Sequence, residues 1–294
     1  MSATPLPHSE SNESTGKNPE ITFLGSLPFI SVHLGCLLVF WVGFSWWGLA
    51  FCLALVGIRM FGITAGYHRY FSHRTFRTSR AFQFVLAWIG ASAAQMGPLW
   101  WAAHHRHHHR FSDTEKDVHP PRKGFFWAHV GWILSEINVP TNMKLVRDLV
   151  KFPELRFLNE YYMIPPMLLA IALLVLGAFI PGVTPLELLA WGFFLSTTIL
   201  YHLTFSINSL THRFGRRRFE TTDTSRNSFI LGVLTMGEGW HNNHHYYPGS
   251  ERQGFYWWEV DFTHYILKAL SWFGIVWDLH KPPQEVLDRG KGVV

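Results

Sequence analysis

The residues of this chain best placed to do chemistry are its histidines, of which there are 18 in 294 residues. Three tight groups stand out, and His212 stands alone between the second and the third. The groups are 68–73 (His-Arg-Tyr-Phe-Ser-His), 104–109 (His-His-Arg-His-His-His) and 241–245 (His-Asn-Asn-His-His). Neutral imidazole is a ligand for iron, zinc, copper and nickel. The clustering therefore indicates metal binding.

The spacing within the second and third groups suits helices. Residues three and four apart share one face of a helix. Both groups contain histidines at i, i+3 and i+4, namely His105, His108 and His109, and His241, His244 and His245. We predict that each trio presents three imidazoles to one point. His104 and His107 lie off that face and are predicted to be neighbours of the ligands.

The number and type of these side chains favour two redox metal ions. With His68, His73 and His212, the trios supply up to nine imidazoles, too many for one ion and suitable for two. The two cysteines, Cys36 and Cys52, lie elsewhere, and no carboxylate stands out in the groups. A structural zinc site would instead take four ligands in a closed tetrahedron. The ligand type therefore favours a di-iron centre that acts with O2.

The elements that position these groups are predicted to be membrane helices. Charged residues make up 15% of the chain, against about 25% in a typical soluble domain. Residues 21–58 contain no charged side chain, and residues 161–208 contain only Glu187. Each stretch exceeds the roughly 20 residues of one transmembrane helix and has a turn signal near its middle. We predict an all-α, multi-pass membrane protein with four spans in two hairpins, at about 25–43, 46–63, 162–180 and 188–207.

The basic residues predict the orientation. Apart from Lys17 and Arg59, every lysine and arginine lies in one of two polar blocks, 64–160 and 208–294. Basic segments favour the cytoplasmic side of a membrane, so the net charge of +5 indicates orientation and not nucleic-acid binding. Both blocks and both termini are therefore predicted to be cytoplasmic.

Four further boundaries complete the expected organisation. Residues 1–20 are polar without an apolar period and are predicted to be a disordered cytosolic tail, not a secretory signal. Residues 64–160 and 208–283 are predicted to form a helical cap, and the membrane domain as a whole covers 21–283. The apolar stretch 81–101 is predicted to be a helix in or dipping into the interface, with a fifth span as the alternative. Residues 284–294 are predicted to be a C-terminal tail.

The order, spacing and placement of the three groups resemble the histidine boxes of the membrane fatty acyl desaturases. The chain more specifically resembles the acyl-CoA Δ9 (stearoyl-CoA type) branch, and in particular its bacterial members. Three further segments carry the likeness to this branch: Asn208-Ser209-x-x-His212, residues 124–132 and residues 237–240. The likeness to bacterial members rests on residues 224–227 and on the short tail that contains Trp and Pro. The resemblance extends from about residue 25 to residue 283.

The resemblance implies four membrane helices under a cytosolic cap that holds two iron ions. Carried over position by position, it makes Asn208 a residue that holds a metal through water. It gives as iron ligands His68, His73, His105, His108, His109, His212, His241, His244 and His245. The implied reaction takes a saturated acyl chain, O2 and two electrons, and yields a cis double bond and water, with Δ9 as the family's habit. The electrons would come from a separate ferredoxin, rubredoxin or cytochrome b5 type protein with its reductase.

The acyl carrier stays open. Animal members of the branch have an Arg-Asp pair before the second box, where this chain has Ala103 and His104. Arg122 and Lys123 match a basic pair further on and are candidate contacts for phosphates, or else a basic patch beside the membrane. The carrier is therefore coenzyme A, an acyl carrier protein or a lipid headgroup. The basic run 216–218 is either a docking face for an acidic electron donor or part of the positive cytoplasmic side, and the second interpretation is favoured.

Two other functions stay open. A hydroxylase or other di-iron oxygenase of the same histidine-box group would begin with the same hydrogen abstraction, but segments 208–212 and 237–245 favour a desaturase. A non-catalytic membrane metal carrier or sensor would place ionisable ligands within the spans, which contain almost none. We therefore predict an enzyme of a bacterial inner (cell) membrane, with a cytoplasmic active site and the lipid bilayer as a partner.

Overall fold

Helices of very different length and polarity build this chain. The computed structural model describes residues 21–291. Its α-helices are α1 (Phe23–Gly35), α2 (Leu38–Val42), α3 (Trp46–Phe61), α4 (Arg80–Ser92), α5 (Pro98–Phe111), α6 (Arg147–Val150), α7 (Pro153–Glu160), α8 (Ile164–Phe179), α9 (Pro185–Leu188), α10 (Ser196–Ser209), α11 (Phe229–Leu234), α12 (His241–Tyr246), α13 (Phe262–Trp272) and α14 (Gln284–Lys291). π-Helices cover Gly62–Ser72, Trp127–Gly131 and Leu189–Leu195, and short 3-10 helices cover Pro121–Lys123, Glu136–Asn138 and Met143–Val146. The two-residue strands β1 (Arg77–Thr78) and β2 (Val276–Trp277) pair antiparallel, with Arg77 opposite Trp277.

Three continuous helices are long and apolar enough to cross a membrane. They cover Phe23–Val42, Trp46–Ser72 and Pro185–Ser209. A fourth candidate is the pair of α7 and α8, which is long enough only when the two helices are taken together across a bend of 72°. The prediction of an all-α chain with about four apolar spans is therefore confirmed. The alternative of a fifth span is not among these candidates in residues 21–291, because α4 ends at Ser92 after 13 residues.

Both predicted turns have a local cause. Gly43 has a φ of +76°, which ends the first span, and the Ser45 hydroxyl accepts a hydrogen bond from the Gly48 N–H to start the next helix. Thr184 and Glu187 form a reciprocal capping box at the start of α9. Such caps satisfy the free N–H groups of a first helical turn.

The second span continues beyond its predicted end at residue 63. Its last 11 residues, as far as Ser72, are π-helical, with hydrogen bonds that run across five residues. His68 therefore lies on a rigid helix and not in a loop. A Cβ on Gly90 of α4 would overlap the ring of Tyr67, so the glycine lets α4 pack directly against this π-helix.

Both ends of the chain are predicted to be tails. The tail predicted for residues 1–20 lies outside the described residues. At the other end, residues 284–291 form α14 where a tail was expected. The Tyr256 hydroxyl donates a hydrogen bond of 2.7 Å to the carbonyl of Leu287, which fastens α14 to the rest of the polar region.

One charged side chain is buried among the spans. Arg59 of α3 is 1% exposed. Its guanidinium donates hydrogen bonds to the hydroxyls of Ser196 and Thr197 and, at 3.4 Å, to the carbonyl of Ser92. Since hydrogen bonds to charged groups are stronger than neutral ones, Arg59 ties α3 to both α4 and α10.

We expect Arg59→Met to lower the stability of the protein by about 2 kcal/mol, because several hydrogen bonds of a buried cation are lost. This corresponds to a thermal midpoint lower by roughly 4–8 °C, measured by tryptophan fluorescence in detergent. The control is Arg77→Met, whose side chain is 73% exposed and paired with Asp278 at 3.2 Å, and it should shift the midpoint little. Equal shifts for the two variants would contradict this role of Arg59.

Candidate metal centre

Two groups of histidine side chains meet where the second and last spans end. The first group contains His68, His73, His105, His109 and His244, and the second contains His108, His212, His241 and His245. In each group, one nitrogen of every ring lies within 4.8 Å of the corresponding nitrogens of the others. The structure therefore brings together all nine histidines that the sequence predicts as ligands.

Four chain segments supply these side chains. The π-helix Gly62–Ser72 carries His68, and His73 follows it directly. α5 and α12 carry one trio each. His212 lies three residues beyond the end of α10. Two of the long apolar helices thus lead straight into the groups.

Each helical trio is divided between the two groups, and the prediction that a trio points to one place is wrong. On an α-helix, residue i+4 is rotated by about 40° from residue i, and residue i+3 by about 60° in the opposite sense. The i, i+4 pair therefore shares one group and the i+3 residue turns to the other. α5 gives His105 and His109 to the first group and His108 to the second, and α12 gives His241 and His245 to the second and His244 to the first.

Ring nitrogens of the first group face one another at short range. Nε2 of His244 lies 3.0 Å from Nε2 of His68 and 2.9 Å from Nε2 of His109. The Nε2 atoms of His73 and His105 are 2.8 Å apart. Two nitrogen ligands that are about 2.1 Å from one ion and at right angles lie about 3.0 Å apart. The spacing of these atoms fits a shared metal ion.

The second group fits a metal ion for a further reason. The buried Nε2 atoms of His108 and His245 have no hydrogen-bond partner among the described residues. A buried polar atom without a partner is costly. Nε2 of His212 lies 3.1 Å from Nε2 of His241. An ion between these rings would satisfy the free nitrogens.

Six imidazoles of the two groups are held neutral by their surroundings. Burial, reinforced by repulsion between neighbouring histidine rings, lowers the pKa of five of them well below the usual value: His73, His105, His109, His241 and His244. Burial also lowers the pKa of His245, to about 4. Since a metal ligand must be deprotonated, every one of these rings has a lone pair to offer.

Carboxylates hold the outer nitrogens of two rings in the second group. Nδ1 of His108 donates to Asp117 at 2.9 Å, and Nδ1 of His245 donates to Asp223 at 2.7 Å. Burial raises the pKa of both carboxyls, but the neighbouring imidazoles outweigh it and keep the pKa well below the usual range. Such partners fix the orientation of a metal-binding ring and raise its basicity. Each pair therefore points Nε2 inward.

Two more carboxylates contact the outer nitrogens of histidine rings. Nδ1 of His212 lies 3.2 Å from Asp113. Burial raises the pKa of Asp113, but hydrogen bonds from His212 and Thr224 lower it to about 2. Glu238 contacts Nδ1 of His68 in the first group. These four acids are the residues that the sequence analysis missed, since nothing in their spacing relates them to the histidines.

A buried arginine positions one of these acids. Arg69 is 1% exposed, and its Nη2 lies 3.2 Å from Glu238 and 3.0 Å from Asp261. Its Nη1 donates to the carbonyl of Glu251 at 2.9 Å. Ion pairs of this kind are directional as well as strong. Arg69 thereby sets the position of the carboxylate that holds His68.

His104 and His107 lie outside both groups, where the helical face predicts them. Nδ1 of His104 bonds to the carbonyl of Trp100 at 2.9 Å, and Nε2 of His107 bonds to the carbonyl of Lys116 at 2.7 Å. Each of the two rings thus has a partner in the chain itself.

An apolar cavity of about 560 Å³ extends from the first group into the span region. His105 and Asn208 line its inner end, and the stacked rings of Phe29, Tyr201 and Phe205 form one wall. An elongated apolar ligand could therefore reach the histidines without crossing a polar surface.

The predicted phosphate contacts lie elsewhere. Arg122 pairs with the exposed Glu115 at 3.5 Å, and the Lys123 ammonium lies 5.1 Å from the centre of the Trp127 ring. Neither basic residue lines the cavity.

The basic run 216–218 is partly engaged within the chain. Arg217 donates to the carbonyls of Thr221 and Asp223, and Arg218 pairs with the buried Glu259 at 3.0 Å. These two guanidinium groups support the segment that carries Asp223. The run therefore has a structural part in holding the second group.

Known proteins resemble this chain over most of its length. Residues 44–276 match the family described as fatty acid desaturase. The chain is 37% identical over 268 residues to an sn-1 stearoyl-lipid 9-desaturase of Anabaena variabilis, covering 89% of this chain and 95% of that one. It is 36% identical over 273 residues to an acyl-CoA C20 Δ5-desaturase of Anemone leveillei, covering 92% and 83%. It is 34% identical over 276 residues to an sn-2 palmitoyl-lipid 9-desaturase of Nostoc sp. (strain 36), covering 92% and 94%.

We expect His244→Ala and His108→Ala each to lower the iron bound per chain, because each removes a candidate ligand from a different group. Metal analysis of the purified protein measures this. His104→Ala is the matched control on α5 and should leave the iron content largely intact. If it strips iron as fully as His108→Ala, the assignment of helical faces is wrong.

We expect Asp223→Asn to weaken metal binding by about 10–100-fold, since the carboxylate that orients His245 is lost. Competition with a chelator gives the affinity, and circular dichroism checks the fold. The control is Asp278→Asn. This carboxylate is half-exposed and pairs with Arg77, and it contacts no histidine of either group. An unchanged affinity in Asp223→Asn would show that the pair does not support the metal.

Proposed function

We propose that this chain, which belongs to the fatty acid desaturase family, inserts a cis double bond into a saturated long-chain acyl group. The family that the histidine boxes indicate is thereby confirmed. The observation that carries the proposal is the pair of neutral imidazole groups at the inner end of an apolar cavity. Two of the relatives described above are named lipid 9-desaturases, which supports carbon 9 as the position of the double bond.

Two iron ions are the metals of this proposal, one in each group. His68, His73, His105, His109 and His244 hold the first, His108, His212, His241 and His245 hold the second, and Asn208 contributes through water. An all-imidazole set suits a redox ion. When bound, the iron ions together with O2 supply the oxidising power needed to remove two hydrogens from an unactivated chain.

The side chains of the protein bind and orient the acyl chain and exclude water from the site. The aromatic wall of Phe29, Tyr201 and Phe205 packs against the methylenes of the acyl chain. The carboxylates behind His68, His108, His212 and His245 keep these four imidazoles in one orientation. Placement decides the outcome, since a shift of about 1 Å at such a site costs as much as a hundredfold in rate.

The overall reaction consumes O2, two electrons and two protons. Together with the two hydrogens removed from the chain, these give two water molecules and the double bond. The electrons come from a separate carrier protein of the ferredoxin, rubredoxin or cytochrome b5 type with its reductase. Basic side chains of the polar region would attract an acidic carrier.

The proposed setting is a bacterial inner membrane. The four apolar helices cross it as two hairpins, and residues 64–160 and 208–283 form a cap on the cytoplasmic side. Positive charge in the polar blocks supports this orientation. The metal centre would then lie at the boundary between membrane and cytoplasm, within reach of a soluble electron carrier.

We expect cells that express the wild type to contain a new monounsaturated fatty acid that is absent from cells expressing His108→Ala. Mass spectrometry of the fatty acid methyl esters locates the double bond, which should lie at carbon 9. Immunoblotting of membranes confirms equal amounts of the two proteins. A hydroxy acid in place of the monoene would assign the chain to the hydroxylases, and a monoene that persists in His108→Ala would exclude the metal centre as its source.

A further inference from the structure

We propose that the acyl chain enters the cavity sideways from the membrane, between α1 and α8, and that the substrate is therefore a glycerolipid of the bilayer. The inference rests on the proposed function, since it names the acyl carrier for the same cavity.

Apart from Val139, the exposed residues of the cavity lining lie on α1 and at the start of α8. Leu24 of α1 is 77% exposed, and Met163 and Met167 beside and on α8 are 38% and 56% exposed. Gly25 and Pro28, further lining residues of α1, are exposed as well. Ser31 on α1 and Val139 complete the exposed set. The cavity therefore opens on the apolar outer surface of the span region.

The lining residues near the histidines are closed off. Trp100, His119 and Trp132 are 5–7% exposed, and Gln95 is 8% exposed. These buried side chains favour the opening between α1 and α8 as the route by which a ligand reaches the first group.

The charges of the lining argue for a lipid. None of the described residues that line the cavity is a lysine, an arginine, an aspartate or a glutamate. A coenzyme A or carrier-protein thioester brings phosphate groups, which proteins bind with arginine, lysine or ordered N–H groups. The ester bonds of a glycerolipid are neutral and need no such partner. Arg122 and Lys123 lie outside the lining.

The hydrogen bonds of α1 explain why this seam is open. Nε2 of His33 lies 3.1 Å from Nε2 of His202, and the Cys36 thiol lies 3.0 Å from the Thr198 hydroxyl. Both partners are on α10, and polar side-chain contacts hold membrane helices together. Within residues 21–291, no hydrogen bond or ion pair joins α1 to α8. α1 is therefore fastened on one side and free on the other.

The opening also lies near the membrane–water boundary, where the ester groups of a glycerolipid are found. Leu24 is in the first turn of α1, and Met163 immediately precedes α8. Ile21 forms a bridge with Ser135 of the polar region, which places the start of α1 beside it. Tyr161 and Tyr162 sit next to the opening, and tyrosine favours the membrane–water boundary. The glycerol ester can therefore stay at the boundary while its acyl chain enters.

The test uses the full chain reconstituted in phosphatidylcholine vesicles that contain a phosphatidylcholine with a diazirine in its stearoyl chain. After irradiation, mass spectrometry maps the labelled residues. We expect label on the buried lining residues Tyr201 and Trp132, in addition to surface residues such as Phe40, which is 86% exposed. Label at Tyr201 requires that the chain has entered the cavity. The same diazirine on stearoyl-CoA serves as the soluble probe and should label Tyr201 less.

A variant tests the route itself. Gly25→Trp places a large side chain in the opening. Because the acyl chain is then blocked, the label at Tyr201 should fall about tenfold, while the label at Phe40 stays unchanged. The control is Gly57→Trp on α3, where an added Cβ meets no atom within 4 Å and the cavity is not touched. This variant should label Tyr201 like the wild type.

Three results would overturn the inference: no label at Tyr201 from the lipid probe, stronger label there from stearoyl-CoA, or equal label in wild type and Gly25→Trp. Product analysis judges the proposed function separately. In vesicles supplied with O2 and a reduced ferredoxin-type carrier, label at Tyr201 without any double bond in the lipids would refute the desaturase and leave lateral entry intact. A double bond made by the wild type without lipid label at Tyr201 would refute lateral entry and leave the desaturase intact.

Discussion

Nine imidazole rings are packed into one small volume, and the crowding of like groups constrains the structure that surrounds them. Burial and mutual repulsion lower the pKa of His105, His244 and their neighbours, and ionised carboxylates behind the rings take up the outer N–H groups. His108 with Asp117 and His245 with Asp223 show the arrangement directly. The Nε2 atoms of His108 and His245 are then buried with no hydrogen-bond partner among the described residues. Buried nitrogens without partners cost free energy in the metal-free protein, and a bound cation would remove that cost.

The surrounding fold provides the rigidity that this arrangement needs. His68 lies on a membrane-length helix that is extended by π-helical turns, and His212 closely follows another long helix. α5 and α12 each supply both groups, so a movement of either helix would disturb both metals together. Arg69 is buried between Glu238 and Asp261 and connects the carboxylate of the first group to the polar core. Ligands that come from rigid elements keep their geometry better than ligands on loops.

The same geometry relates the metals to the membrane. The cavity is lined by His105 of the first group and by residues of α1 and α8, so it connects the candidate metal centre with the apolar helices. α1 is held to α10 by His33 and Cys36, which leaves its other side available. In the proposed function, an acyl chain in this cavity would reach the histidines along apolar residues.

The amino-acid sequence by itself determined the spans, their turns and all nine histidines of the two groups, because helical periodicity and apolar length are local properties. It did not determine that the two faces of each trio serve different groups, since the rings that complete each group come from other segments of the chain, nor the pairing of Asp113, Asp117, Asp223 and Glu238 with their rings. The helix at 284–291 was also missed, because its stability comes from contacts such as the one with Tyr256. Only the tertiary structure decided these features and the opening between α1 and α8, because each depends on residues far apart in the chain meeting in space.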